Sequence, residues 1–256
     1  MPASFLQGPP SDAPLTPCIS GSRDAALSAH GALQAKHLGA HLASRAPPFP
    51  PPSRIYASDL QRAWRTANAV REAYGGGVEV QRLPELREQD FGSLEGLPWQ
   101  KPVPRVGDGW VDPETADAIL RRVDRFLDEH LFPAMRELLV EGGGDGSIVV
   151  AAHGMTLGHL LRALVAKFRR DKCPVYGLVE EGQVHWKNTG YLECLVEAAA
   201  PELGVAESFP AGLRVTVERV NCVDHLAGLS RTRGGIGSAA FDASQKTLDT
   251  FFTKKQ

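Results

Sequence analysis

His153-Gly154 closes the apolar run Ser147-Ile-Val-Val-Ala-Ala152 and opens a segment with helical patterning. A run that is apolar at nearly every position reads as a strand buried on both faces. In open α/β sheets, ligands gather outside the carboxyl ends of strands. A helix starting there offers free N–H groups and a partial positive charge, which suits a phosphate. Arg62 lies one turn into a second helical segment, after the short strand Arg54-Ile-Tyr-Ala-Ser58, where its guanidinium fork can reach an anion at the strand end. Glu88 sits on a Gly-containing loop, with Glu85 and Glu95 as rival acids. An imidazole, a guanidinium and a carboxylic acid can stabilise charge and move protons around a bound anion. The bland alternatives are a core histidine, a surface helix charge and a solvated loop acid.

A second constellation lies near the C-terminus. Gln245-Lys-Thr-Leu248-Asp-Thr-Phe251-Phe252 places an aliphatic residue and two aromatics on one side of a single helical turn, with Gln245 standing off as a hydrogen-bonding hook. An amphipathic turn of this kind suits helix-in-groove docking, or packing on its own domain. The preceding stretch, Arg231 to Ser244, is rich in Gly and Ser, as a linker is.

The elements that must position these residues follow from patterning. Ser28 is placed to cap a helix whose Leu33, His37, Leu38 and Leu42 recur at helical spacing. After the proline-rich break at 47–52 comes the strand 54–58, then a helix to Tyr74 with Asp59 as its expected cap. Val78 to Gln81 reads as the next strand. A long helix from about Glu114 to Val140 has Ile119, Val123, Phe126, Leu127 and Leu131 as its buried stripe, with Pro133 as a potential kink. Tyr191–Val196 and Leu213–Val220 read as late strands, paired antiparallel. Residues 1–19 contain five prolines and no periodicity, and read as irregular. The alternation of strands and helices predicts an α/β fold with a mostly parallel sheet.

A net charge of −2 supplies no global basic field, so any link to nucleic acid would run through a partner. The four cysteines are scattered, which argues against a zinc site or disulfide framework and suits a reducing compartment. No apolar run reaches membrane-spanning length, and the N-terminus lacks the pattern of a secretory signal. The expected location is cytoplasm, nucleus or both. His37 and His41 lie one turn apart, but no third metal ligand suggests itself.

Four ordered motifs resemble the histidine phosphatase, or phosphoglycerate mutase-like, superfamily: Leu27-Ser28 through Gln34-Ala35, Ser58-Asp-Leu60-Gln-Arg62-Ala63 through Thr66-Ala67, Leu86-Arg87-Glu88 through Glu95-Gly96, and Val149-Val150-Ala-Ala-His153-Gly154. Asn188-Thr189-Gly190 resembles that family's penultimate loop. The resemblance covers about residues 20–197. It implies a three-layer α/β/α sandwich that uses no cofactor and no metal. It also implies phosphomonoester hydrolysis through a phosphohistidine, with a phosphorylated small molecule or phosphopeptide as ligand. On its motifs Arg62 matches the phosphate-clamping arginine, Glu88 the general acid and His153 the second histidine. Phosphoglycerate mutation is the weaker alternative.

The family's first motif, an apolar strand ending in Arg-His-Gly, is missing; the corresponding region reads Ser4-Phe-Leu-Gln-Gly-Pro-Pro10. His30-Gly31 falls inside the helix-opening motif instead of at a strand end. The first strand of the fold is therefore expected to be absent, and the nucleophile with it. The expected organisation is an irregular segment at 1–19, a histidine phosphatase-like domain at 20–225, and a flexible tail at 226–256. In that tail, residues 245–252 resemble the PIP box, the peptide by which many replication and repair proteins dock onto the sliding clamp PCNA. Gln245, Leu248, Phe251 and Phe252 are its expected contacts. Two readings stay open: a phosphatase relative inactive in this chain, or a non-catalytic PCNA-binding interaction protein.

Overall fold

The structure, a computed structural model, describes residues 2–7, 18–45, 49–98, 107–141, 146–170, 175–176, 184–198 and 213–229. In chain order the main elements are β1 (Pro2–Gln7), α1 (Ala29–Ser44), β2 (Pro52–Ser58), α2 (Gln61–Ala73), β3 (Val80–Leu83), α3 (Ala116–Phe126), α4 (Phe132–Arg136), β4 (Ser147–Ala152), α5 (Gly154–Arg170), β5 (Val175–Tyr176), β6 (Tyr191–Ala198) and β7 (Leu213–Cys222). The sheet order is β3-β2-β4-β1-β6-β7-β5. β3, β2, β4 and β1 run parallel to one another, and β6 is antiparallel to both β1 and β7.

Strand alternation assigns the two faces. Ile55, Ala57, Val149 and Ala151 pack against Leu38 and Leu42 of α1 and Ala67 and Val70 of α2. Tyr56, Ile148, Val150 and Ala152 pack against Ile119, Val123 and Phe126 of α3 and against Leu157, Leu160 and Phe168 of α5. Helices thus cover both faces of a mostly parallel sheet, the three-layer arrangement expected of the sequence. All six residues of β4 are buried, as its uninterrupted apolar run predicts.

Local signals explain the element ends. The Ser28 hydroxyl accepts from Gly31 N at 3.0 Å and caps α1. Thr115 caps α3 in the same way, through Ala118 N. The long helix does not kink sharply at Pro133. It passes through a π turn at Leu127–Leu131, and Pro133 falls in the first turn of α4. A residue without an N–H fits there, where the i→i+4 ladder is already interrupted. All five residues of the expected stripe are buried.

Three expectations are corrected. Residues 2–7 of the supposedly irregular segment form β1, in the middle of the sheet, so the first strand is present. Phe5 pairs with Val150 on one side and Leu192 on the other, and Gln7 pairs with Ala152. The segment contains no β-branched residue and is followed by prolines, so local propensity is poor. The open slot between β4 and β6 offers every backbone group a partner, and that context wins. Second, Asp59 does not cap α2. It is held by Arg87 at 2.6–2.7 Å, and Asp24 accepts from Gln61 N at 2.6 Å in its place. Third, β3 lies at 80–83, two residues later than predicted at each end.

Candidate active site

β4 and α2 bring Arg62 and His153 together. Arg62 is the second residue of α2, and His153 is the single residue between β4 and α5. Both are buried, at 4% and 3% exposure. Arg62 Nε donates to His153 Nδ1 at 3.2 Å. Arg62 also donates through Nη1 to the Arg23 carbonyl at 2.8 Å and through Nη2 to the Gly21 carbonyl at 2.6 Å. Burial pulls its pKa down while Glu88, Asp24 and Glu95 oppose that; a guanidinium stays charged in any case.

That contact fixes the imidazole chemistry. A nitrogen that accepts from a guanidinium carries no proton, so in the neutral ring the proton lies on Nε2. His153 Nε2 is buried and has no hydrogen-bond partner among the described residues. Burial holds the His153 pKa well below the usual imidazole range, and the charges of Arg62 and Arg122 push it the same way. The ring is therefore neutral, with an Nε2–H that meets no acceptor among the described residues. It is not a nucleophile, because neither nitrogen has a free lone pair.

Glu88 sits beside this pair, against the start of α5. Its carboxylate accepts from Met155 N at 3.3 Å, Thr156 N at 3.2 Å and the Thr156 hydroxyl at 3.3 Å. The helix N-terminus expected to be open to phosphate is thus already facing a carboxylate. Thr156 Oγ1 is also 2.6 Å from the Arg87 carbonyl, which ties the loop to the helix. Arg122 of α3 braces the same loop from outside: Nη1 donates to the carbonyls of Glu85 and Arg87 at 2.7 Å each, and the rest of the fork grips Glu114.

The rival acids are placed elsewhere. Glu85 lies 3.9 Å from Arg125. Glu95 is buried and accepts from Ser22 and Phe91. Sequence reasoning missed Gly21, Arg23 and Arg122 as parts of the site. The signal available was Gly21-Ser22-Arg23-Asp24, directly upstream of the helix-opening motif, where carbonyls can turn toward Arg62. His30 falls in the first turn of α1, and His41 Nε2 lies 3.1 Å from the Tyr191 hydroxyl. Among the described residues no three acidic, His or Cys side chains cluster as metal ligands. Gln245, Leu248, Phe251 and Phe252 lie outside the described residues.

Comparison with known proteins decides the family. The family model for histidine phosphatase superfamily (branch 1) matches residues 11–176. The chain belongs to the histidine phosphatase superfamily. The match begins past Gln7, the strand end at which Arg-His-Gly is expected. A probable phosphatase of Schizosaccharomyces pombe is 30% identical over 244 residues, covering 92% of this chain and 74% of that protein. A 2,3-bisphosphoglycerate-dependent phosphoglycerate mutase of Methylorubrum extorquens is 29% identical over 156 residues, covering 57% of this chain and 70% of the mutase. The native structure of a mycobacterial glucosyl-3-phosphoglycerate phosphatase superposes with a TM-score of 0.60 at 21% identity, covering 86% of this chain and 98% of that one. This histidine phosphatase superfamily member therefore shares the fold of that enzyme.

Proposed function

We propose that this chain recognises a phosphorylated small molecule or phosphopeptide at the Arg62–His153 pair and does not turn it over. The parent reaction is phosphomonoester hydrolysis through a phosphohistidine, with Glu88 as the acid that protonates the leaving oxygen. The observation that carries the reading is the buried His153 Nε2, a donor with no acceptor among the described residues. A buried donor costs about 1–3 kcal/mol while unpaired, so the site favours an anionic oxygen at that point. Arg62 supplies the positive charge, and its fork has N–H groups beyond those bonded to Gly21, Arg23 and His153.

Turnover needs a lone pair aimed at phosphorus. His153 cannot provide it while Arg62 occupies Nδ1. The strand end beside it, where the family places its nucleophile, reads Leu6-Gln7-Gly8. Full-length protein should therefore give negligible hydrolysis of p-nitrophenyl phosphate while binding inorganic phosphate in a calorimetric titration. His153→Ala should abolish that binding. Robust turnover that His153→Ala removes, with a phosphohistidine mapped to His30, would overturn the proposal.

A second function rests on the C-terminal peptide. The spacing of Gln245, Leu248, Phe251 and Phe252 favours docking to PCNA, which would make the chain an interaction protein carrying a phosphate-sensing domain. Phosphoglycerate mutation remains the weaker alternative, supported by the mutase relative. It needs the same nucleophile as hydrolysis, so a null result for phosphohistidine counts against both.

A further inference from the structure

We infer that Glu95 is a positioning residue for phosphate recognition: it fixes the turn Gly21–Arg23, and that turn aims Arg62. The inference rests on Arg62 and His153 forming a phosphate site. Glu95 is buried in the loop that carries Glu88, yet it makes no bond to Arg62 or His153. Its Oε1 accepts from Ser22 N at 2.6 Å, Ser22 Oγ at 3.0 Å and Phe91 N at 3.2 Å. The carbonyls on either side of Ser22, those of Gly21 and Arg23, are the ones that take Arg62 Nη2 and Nη1. With both held, Nε is left facing His153 Nδ1. Moving the Ser22 peptide would move both carbonyls, turn the guanidinium and release the imidazole.

The turn is built around this contact. Gly21 has φ +49°, and a Cβ there would collide with Glu95 Oε1 and press on the Phe91 ring. Only glycine lets the carboxylate approach so closely while holding the left-handed conformation. Backbone bonds from Ile19 N to the Leu97 carbonyl at 2.9 Å and from Gly96 N to the Ile19 carbonyl at 2.7 Å clamp the outer side of the same junction. The other oxygen, Oε2, lies 3.5 Å from Arg23 Nε, whose side chain is 63% exposed. A contact so exposed contributes little. All three bonds converge on one oxygen, so the placement of that oxygen is what holds the turn.

The test uses the full chain with Glu95→Gln, Glu95→Ala and, as a control for general loosening of the fold, Leu42→Ala in the α1 core. The His153 ring is followed by nitrogen NMR, and inorganic phosphate binding by calorimetry. Glu95→Gln can present an amide oxygen to the same three donors, so it should keep the Nε2–H tautomer and bind phosphate within about twofold of wild type. Glu95→Ala should populate both tautomers and raise the phosphate dissociation constant at least about tenfold. Leu42→Ala should lower the melting temperature and leave the ring unchanged. A wild-type ring in Glu95→Ala would overturn the inference. So would an equal ring change in Leu42→Ala, or Glu95→Gln behaving like Glu95→Ala. If the wild-type chain binds no inorganic phosphate, the phosphate-site reading fails, while the ring spectra still decide the role of Glu95.

Discussion

At the scale of single residues, two buried histidines are held neutral, each by burial first. At His153 the charges of Arg62 and Arg122 add to burial. At His225 the neighbouring histidines do. The Thr189 hydroxyl is placed to donate to the Asn188 carbonyl at 2.7 Å, so the His225 Nε2–H donates to Thr189 Oγ1 at 2.8 Å. Its Nδ1 is buried without a partner among the described residues. Burial first, then the charges of His41 and His37, push the His225 pKa down to about 4. The unfolded chain, with an ordinary pKa of about 6.5, takes up a proton that the folded chain refuses. Stability from this group is therefore complete above the unfolded value, falls as pH drops toward about 4, and levels off below that. His153 adds to the loss in the same direction. Urea midpoints measured between pH 7 and pH 4 should fall for wild type more steeply than for His225→Asn. The difference in slope should be at most about 1.4 kcal/mol per pH unit, the effect of one proton. Parallel slopes would mean that His225 titrates normally in the fold.

At the scale of elements, the central strand is the point at which sequence and structure part. The motifs on β2, α2, β4 and α5 were readable because an uninterrupted apolar run and 3.6-residue spacing encode burial directly. The pair Arg62 and His153 was readable because each follows a strand end. Glu88 could not be separated from Glu95 by type or position, because only the fold decides which carboxylate meets the amides of Met155 and Thr156 and which meets Ser22. β1 was invisible because its pairing is wholly non-local: both partners come more than 140 residues later in the chain. Such a strand is specified by the slot it fills. Ser4→Pro tests this. A proline in a central strand deletes a ladder donor and is tolerated essentially only at edges, at a cost of about 3 kcal/mol or more. Beside a typical net stability of about 5–15 kcal/mol, that should lower the melting temperature by many degrees in a calorimetric scan. An unchanged melt would show that residues 2–7 do not occupy the sheet.

At the scale of the whole molecule, the proposed phosphate site and the proposed docking peptide would be separate devices on one chain. The last described residues are the turn Asp224–Leu226, held through His225, and Ala227–Leu229 after it. Residues 230–256 lie outside the described residues, so the proposal for them stands on their sequence. With a net charge of −2 the chain has no field to hold DNA, and contact with replication machinery would run through a protein partner. Burying Leu248, Phe251 and Phe252 in a hydrophobic groove would drive binding, offset by the entropy of ordering the segment. Lys254 and Lys255 follow the aromatics and would steer encounter with an acidic surface, so affinity should fall modestly with added salt. A peptide spanning Ser244–Gln256 should bind PCNA in calorimetry without the domain, and replacing both Phe251 and Phe252 by Ala should abolish it. A chain truncated after Leu229 should keep phosphate binding and lose PCNA binding, since the two proposals rest on separate stretches of sequence, Gly21 to His153 for one and Gln245 to Phe252 for the other. No binding by the wild-type peptide would sink the docking role. Loss of phosphate binding on truncation would show instead that the two devices are coupled.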